Sequence, residues 1–115
     1  MQRKFRLTRS DDFKRVRRNG KSYPHPLVVL IAQASEHPRI NIGVTAGRPV
    51  GNAIRRNRAK RLLREAMRPM LPDLASGWDL ILVARPGMVS ASLEDTRLAL
   101  ATLLRRAGLT PKNES

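Results

Sequence analysis

Residues 55–65 read RRNRAKRLLRE, and this spacing leaves the chain little choice of structure. With Asn57 set at angle zero and a turn of about 100° per residue, Lys60, Arg61, Arg64 and Arg68 fall within about 60° of it. Ala59, Leu62, Leu63 and Ala66 fall on the opposite side, with Met67 at their margin. The segment is therefore an amphipathic helix: one face must lie on a core, and the other is a stripe of cations broken only by Glu65, on the flank near Arg58. Asn52 is placed to cap it, and Pro69 helps end it near Met67. Arg55, Arg56 and Arg58 crowd its first turns, where the helix dipole is already positive. Local stability does not explain that placement. A bound phosphate backbone does, because helix N-terminal amides and arginine forks both favour anions.

Such a helix needs an apolar platform, and the rest of the chain can build one. The 115 residues are 41% hydrophobic, which suits a single domain over 1–115 with one modest core. Residues 26–34, PLVVLIAQA, are apolar with little alternation and predict a central strand. Residues 39–46, RINIGVTA, alternate and predict the next strand, paired with the first as an antiparallel hairpin across the SEHP turn. SYPHP is extended, because a residue preceding proline is pushed out of the helical region. DLILVAR, 79–85, is another apolar strand. TRSDDFKRVRRNG predicts a short helix that Ser10 can cap and Gly20 stops, with Phe13, Val16 and Leu7 as its apolar side. Residues 92–107 predict a last helix, capped by Ser92, closed by Gly108, with Leu93, Leu100, Leu103 and Leu104 inward. Residues 1–6 read as a flexible arm and 110–115 as a frayed tail. The expected fold is α/β (α+β): a two-layer sandwich in the order α-β-β-β-α-β-α on a small mixed sheet.

Charge narrows the function. Twenty-three basic residues against nine acidic ones leave +14, so the compact chain repels itself and a polyanionic partner is the natural explanation. The cations gather in residues 3–21 and 48–68, which argues for defined contact surfaces rather than an even solubility coat. The absence of cysteine excludes disulfides and cysteine-ligated metal sites and suits a reducing cytosol, so a cytoplasmic protein is expected. The longest apolar run, LVVLIA, is too short to span a bilayer.

The stretch GNAIRRNRAKRLLREAMR, 51–68, closely resembles the signature of the bacterial ribonuclease P protein subunit, in which an Arg-Asn-Arg core is followed by spaced Lys and Arg on one helix. SDDFKRVRRNGK, INIGVTAGRPVGNA and WDLILVAR are similar to the family's first helix, the strand entering its basic loop, and its last strand. The resemblance implies a sandwich with a left-handed β-α-β crossover around the basic helix. It implies assembly with a catalytic RNA that removes the 5′ leader from precursor tRNA, with Mg2+ serving the RNA-containing holoenzyme. It assigns RNA contact to Arg48, Asn52, Arg55, Arg56, Asn57, Arg58, Lys60, Arg61, Arg64 and Arg68. It also implies a leader-binding cleft at Phe13, with Val28 and Leu30 on the lining strand. Where many relatives carry a second cleft aromatic one turn after Phe13, this chain has Arg17.

Other functions fit less well. A nuclease working alone would gather carboxylates and histidines around a metal. Here Asp11 and Asp12 are accounted for by their place at a helix start, and His25 and His37 lie beside prolines with no catalytic partner, so neither a catalytic nor a metal site is expected in the protein. A generic RNA binder is allowed by composition, but Phe5, Phe13, Tyr23 and Trp78 are too few aromatics for a stacking platform. A membrane-surface helix would need the leucines that the core requires. No protein partner is evident.

Overall fold

The computed structural model describes residues 10–110. Leu7, the arm, residues 111–115 of the tail and the side chain of Ser10 lie outside what is described. Three helices and four strands follow in order: α1 (Ser10–Asn19), β1 (Lys21–Tyr23), β2 (Val28–Ala34), β3 (Ile40–Ala46), α2 (Ala53–Met67), β4 (Trp78–Ala84) and α3 (Leu93–Arg106). Short 3-10 turns at Arg48–Val50, Arg68–Asp73 and Pro86–Ser90 flank α2 and lead from β4 into α3.

The sheet order is β1-β2-β4-β3. This overturns the expected hairpin. β2 and β3 do not pair, because β4 lies between them, antiparallel to β2 and parallel to β3. The reason lies in the side chains. Leu80, Ile81 and Leu82 are all fully buried, so β4 is apolar on both faces and takes a central place. β3 offers Asn41, Gly43 and Thr45 on one face and suits an edge. Parallel neighbours need a long crossover, and α2 supplies it. The turn before β4 ties the ends together: Ser35 N donates to Gly77 O at 2.7 Å and Gly77 N to Arg39 O at 3.2 Å. Gly77 holds φ +82°, a conformation that favours glycine.

The two faces of the sheet carry different helices. Val28, Leu30, Ala32, Ile40, Ile42, Leu80, Leu82 and Ala84 form the main core with Ala59, Leu63, Ala66 and Met67 of α2 and Leu100, Leu103 and Leu104 of α3. Fully burying a leucine such as Leu63 contributes about 2 kcal/mol. On the other face α1 rests on a much smaller cluster: Val16 against Ile31 and Ile81, with Phe13, Val29 and Val83 packed beside it. α1 follows the dipole rule, with Asp11 and Asp12 in its first turn and Arg17 and Arg18 in its last. It ends where Gly20 N donates to Val16 O at 2.7 Å.

Candidate nucleic-acid interface

α2 begins as its sequence requires. The Asn52 side chain accepts a hydrogen bond from Arg55 N at 3.0 Å, and no acidic residue lies in the first turn. Arg48, Asn52, Arg55, Asn57, Arg58, Arg61 and Arg68 are exposed, and Arg56, Lys60 and Arg64 are half-buried. Asn57, Lys60, Arg61 and Arg64 share the face turned away from the buried Ala59, Leu63 and Ala66, so the cationic stripe is continuous.

Arg58 and Arg68 have local work. The Arg58 guanidinium donates to the carbonyl oxygens of Met88, Val89 and Ala91, each at 3.3 Å. It braces α2 against the turn that leads into α3. Arg68 pairs with Glu65 at 2.9 Å. Charge-assisted bonds of this kind, on the exposed surface, contribute modestly. Local structure therefore does account for the position of Arg58, though not for Arg55 or Arg56.

Across the sheet, the Phe13 ring lies against Gly43, where a β-carbon would overlap it. Only glycine permits so close an approach on β3. Val28 and Leu30, expected on the cleft strand, are fully buried in the main core on the opposite face. They cannot line a cleft beside Phe13. Side chains alternate along a strand, so the β2 residues on the α1 side are Val29 and Ile31. Val29 pairs with Val83, and Val83 with Thr45, giving a half-buried row across three strands next to Phe13. Arg17, exposed, stands one turn after Phe13 on the same side of α1.

The match to known proteins decides what these surfaces belong to. A family model described as Ribonuclease P matches residues 1–108. The ribonuclease P protein component of Herpetosiphon aurantiacus is 38% identical over 109 residues, 95% of this chain and 89% of that protein. That of Bacillus cereus is 32% identical over 110 residues, covering 95% and 96%. The chain belongs to the ribonuclease P protein family. In fold it is similar to the RNase P protein of Thermotoga maritima, with a TM-score of 0.78 at 27% identity over 88% of this chain and 96% of that one. The Staphylococcus aureus RNase P protein superimposes with a TM-score of 0.83 at 23% identity, covering 93% and 98%.

Several acids of this ribonuclease P family member are engaged by other groups of the chain. Asp12 and Asp79 are held by Arg15, Glu65 by Arg68, and Asp95 by the backbone N–H of Ser92. Among the described residues no group of three or more His, Cys, Asp or Glu is placed to hold an ion. His25 is half-buried, and its Nδ1 accepts from Leu27 N at 3.1 Å. No described helix is long and apolar enough to cross a membrane.

Sequence reasoning missed Gly43 as the seat of Phe13, and Val29 and Val83 as residues of the sheet face that α1 covers. The signal was in the strand period, which places Val29 opposite in facing to Val28 and Leu30. It also passed over Ile54, which stands 79% exposed among the arginines of α2.

Proposed function

We propose that this chain is the RNA-binding protein component of ribonuclease P, an endoribonuclease, and that it works in the cytoplasm as a partner of a catalytic RNA. The outward stripe Asn57, Lys60, Arg61 and Arg64, with Arg48, Asn52, Arg55 and Arg56 at the head of α2, takes the phosphate backbone of the catalytic RNA. The row Val29–Val83–Thr45 beside Phe13 and Arg17 takes the single-stranded 5′ leader of precursor tRNA, with Arg17 contributing charge where an aromatic would stack. The RNA carries the cleavage chemistry and its Mg2+; no protein side chain acts on the scissile phosphate.

The observation that carries this reading is the unanswered positive charge at the start of α2, in a chain that matches the family over residues 1–108. A helix N-terminus and two arginines with no carboxylate in the first turn form a built anion site. The test is reconstitution: purified protein, the matching catalytic RNA and a precursor tRNA at low Mg2+. Stimulated removal of the leader is expected. Cleavage by the protein without added RNA would overturn the reading, and so would an absence of stimulation.

A further inference from the structure

Asp79 is 1% exposed, on the sheet face that α1 covers. It stands in register with Gln33 on β2 and Asn41 on β3. Its Oδ1 accepts from Asn41 Nδ2 at 3.1 Å and its Oδ2 from Arg15 Nη2 at 2.7 Å. The same guanidinium donates to Gln33 Oε1 and, at 3.3 Å, to Asp12 Oδ1. One side chain of α1 thus grips a polar row that crosses three adjacent strands.

A buried ion pair is weak evidence for stability, because apolar side chains of similar volume often serve as well. What it supplies is geometry. The apolar contact beneath α1 is small beside the main core: Val16, Ile31 and Ile81, with Phe13, Val29 and Val83 packed against them. A patch of that size holds the helix down but does little to stop it rolling about its axis. Arg15 lies about 200° around the helix from both Phe13 and Arg17. The pair to Asp79 therefore pins one flank of α1, while Phe13, seated on Gly43, and Arg17 lie on the other.

We propose that Arg15 and Asp79 are positioning residues: the strut they form sets the roll of α1, and with it the place of the Phe13 ring over Gly43. Its functional consequence rests on the leader-binding reading above. The hydrogen bond to Asp79 also holds the Arg15 guanidinium above its ordinary pKa against the opposing effect of burial.

The test uses the full chain, alone and reconstituted with the matching catalytic RNA. Asp79→Asn keeps the shape and removes the charge, and Arg15→Met keeps the stem. Arg15→Met combined with Asp79→Leu replaces the pair with apolar contact. Each is compared with Phe13→Ala for the ratio of affinities for leader-bearing and mature tRNA. The strut variants should lower that ratio by about threefold to tenfold with the affinity for the catalytic RNA unchanged. The paired apolar variant should recover the melting temperature but not the ratio, which a merely stabilising pair would restore. In the free protein, the ring-current shift of the Gly43 protons from Phe13 should collapse in the strut variants, while the methyl resonances of Leu103 and Leu104 stay in place. An effect of Phe13→Ala with none from the strut variants would overturn the strut and leave the leader reading standing. No effect of Phe13→Ala would sink the leader reading; the Gly43 shift then decides the strut alone, and an unchanged shift overturns it.

Discussion

α2 and α3 meet the same problem at their N-termini and answer it with opposite charge. Each is capped by a polar side chain: Asn52 accepts from Arg55 N in α2, and Ser92 from Asp95 N in α3. Counting from the cap, Arg55 and Asp95 occupy the same third position. In α3 the circle closes, because Asp95 Oδ2 accepts from Ser92 N at 3.1 Å and Glu94 adds a second acid to the first turn. That is the capping box, and it satisfies the positive end of the helix from within. In α2 the equivalent place holds a cation, followed by Arg56, with no acid in the turn. Both helices pack on the same core, so the difference is not one of burial. α3 is finished by its own residues; α2 leaves its positive end without a carboxylate in the first turn.

The largest effect should come from removing that charge complement. Replacing Arg56, Lys60 and Arg61 together with Ala should weaken association with the catalytic RNA roughly a hundredfold, at about 1 kcal/mol per lost contact. If about five phosphates are neutralised by the wild-type surface, log K falls with log salt at a slope on the order of −4, and the triple variant should flatten it by about 2 to 3. The melting temperature should hold, because none of the three packs in the core. Arg58→Ala is the control on the same helix. It removes the brace on Met88, Val89 and Ala91, so it should cost about 1 kcal/mol of stability and change the slope by less than one. Equal RNA affinity in the triple variant and the wild type would refute the assignment of this face.

A smaller but more pointed effect comes from making α2 resemble α3. Arg55→Asp places a carboxylate where it can accept from Asn52 N and complement the dipole. Stability in urea should rise by about 0.5 to 1 kcal/mol. Affinity for the catalytic RNA should fall at least tenfold at low salt, since one cation is lost and one anion gained. The opposite signs are the content of the prediction. A variant that lost stability as well would show that Arg55 already has an internal role.

These relations differ in how far the sequence disclosed them. Both caps and the amphipathic face of α2 were legible, because every residue involved lies within a few positions of its partner. The strands were legible as apolar runs, but their order was not. β4 enters between β2 and β3 from more than thirty residues downstream of β3, and pairing at that distance leaves no local mark. Val28 and Leu30 were misplaced for a related reason: β2 is apolar on both faces, so it gives no alternation from which to read facing. The brace that Arg58 forms was not legible because its acceptors are backbone carbonyls, which carry no residue signature. Arg15 and Asp79 are 64 positions apart, and neither is unusual until the sheet sets Asp79 beneath α1.

The smallest effect tests the internal answer in α3. The backbone bond from Ser92, reinforced by its hydroxyl, holds the Asp95 carboxyl below its usual pKa of 3.8. A carboxyl whose folded pKa is depressed stabilises the fold above its unfolded pKa, and that contribution fades as pH falls through the lower folded value. Wild type should therefore exceed Asp95→Asn in urea midpoint at neutral pH by a small margin, and the margin should close as the pH falls through and below the usual carboxylate range. The Arg55→Asp variant should show a second such closure at α2, where the wild type has no carboxylate in the first turn to titrate. A margin for Asp95→Asn that persisted at the acid end would mean that Asp95 acts through its shape and not its charge, and the contrast between the two helix starts would lose its electrostatic half.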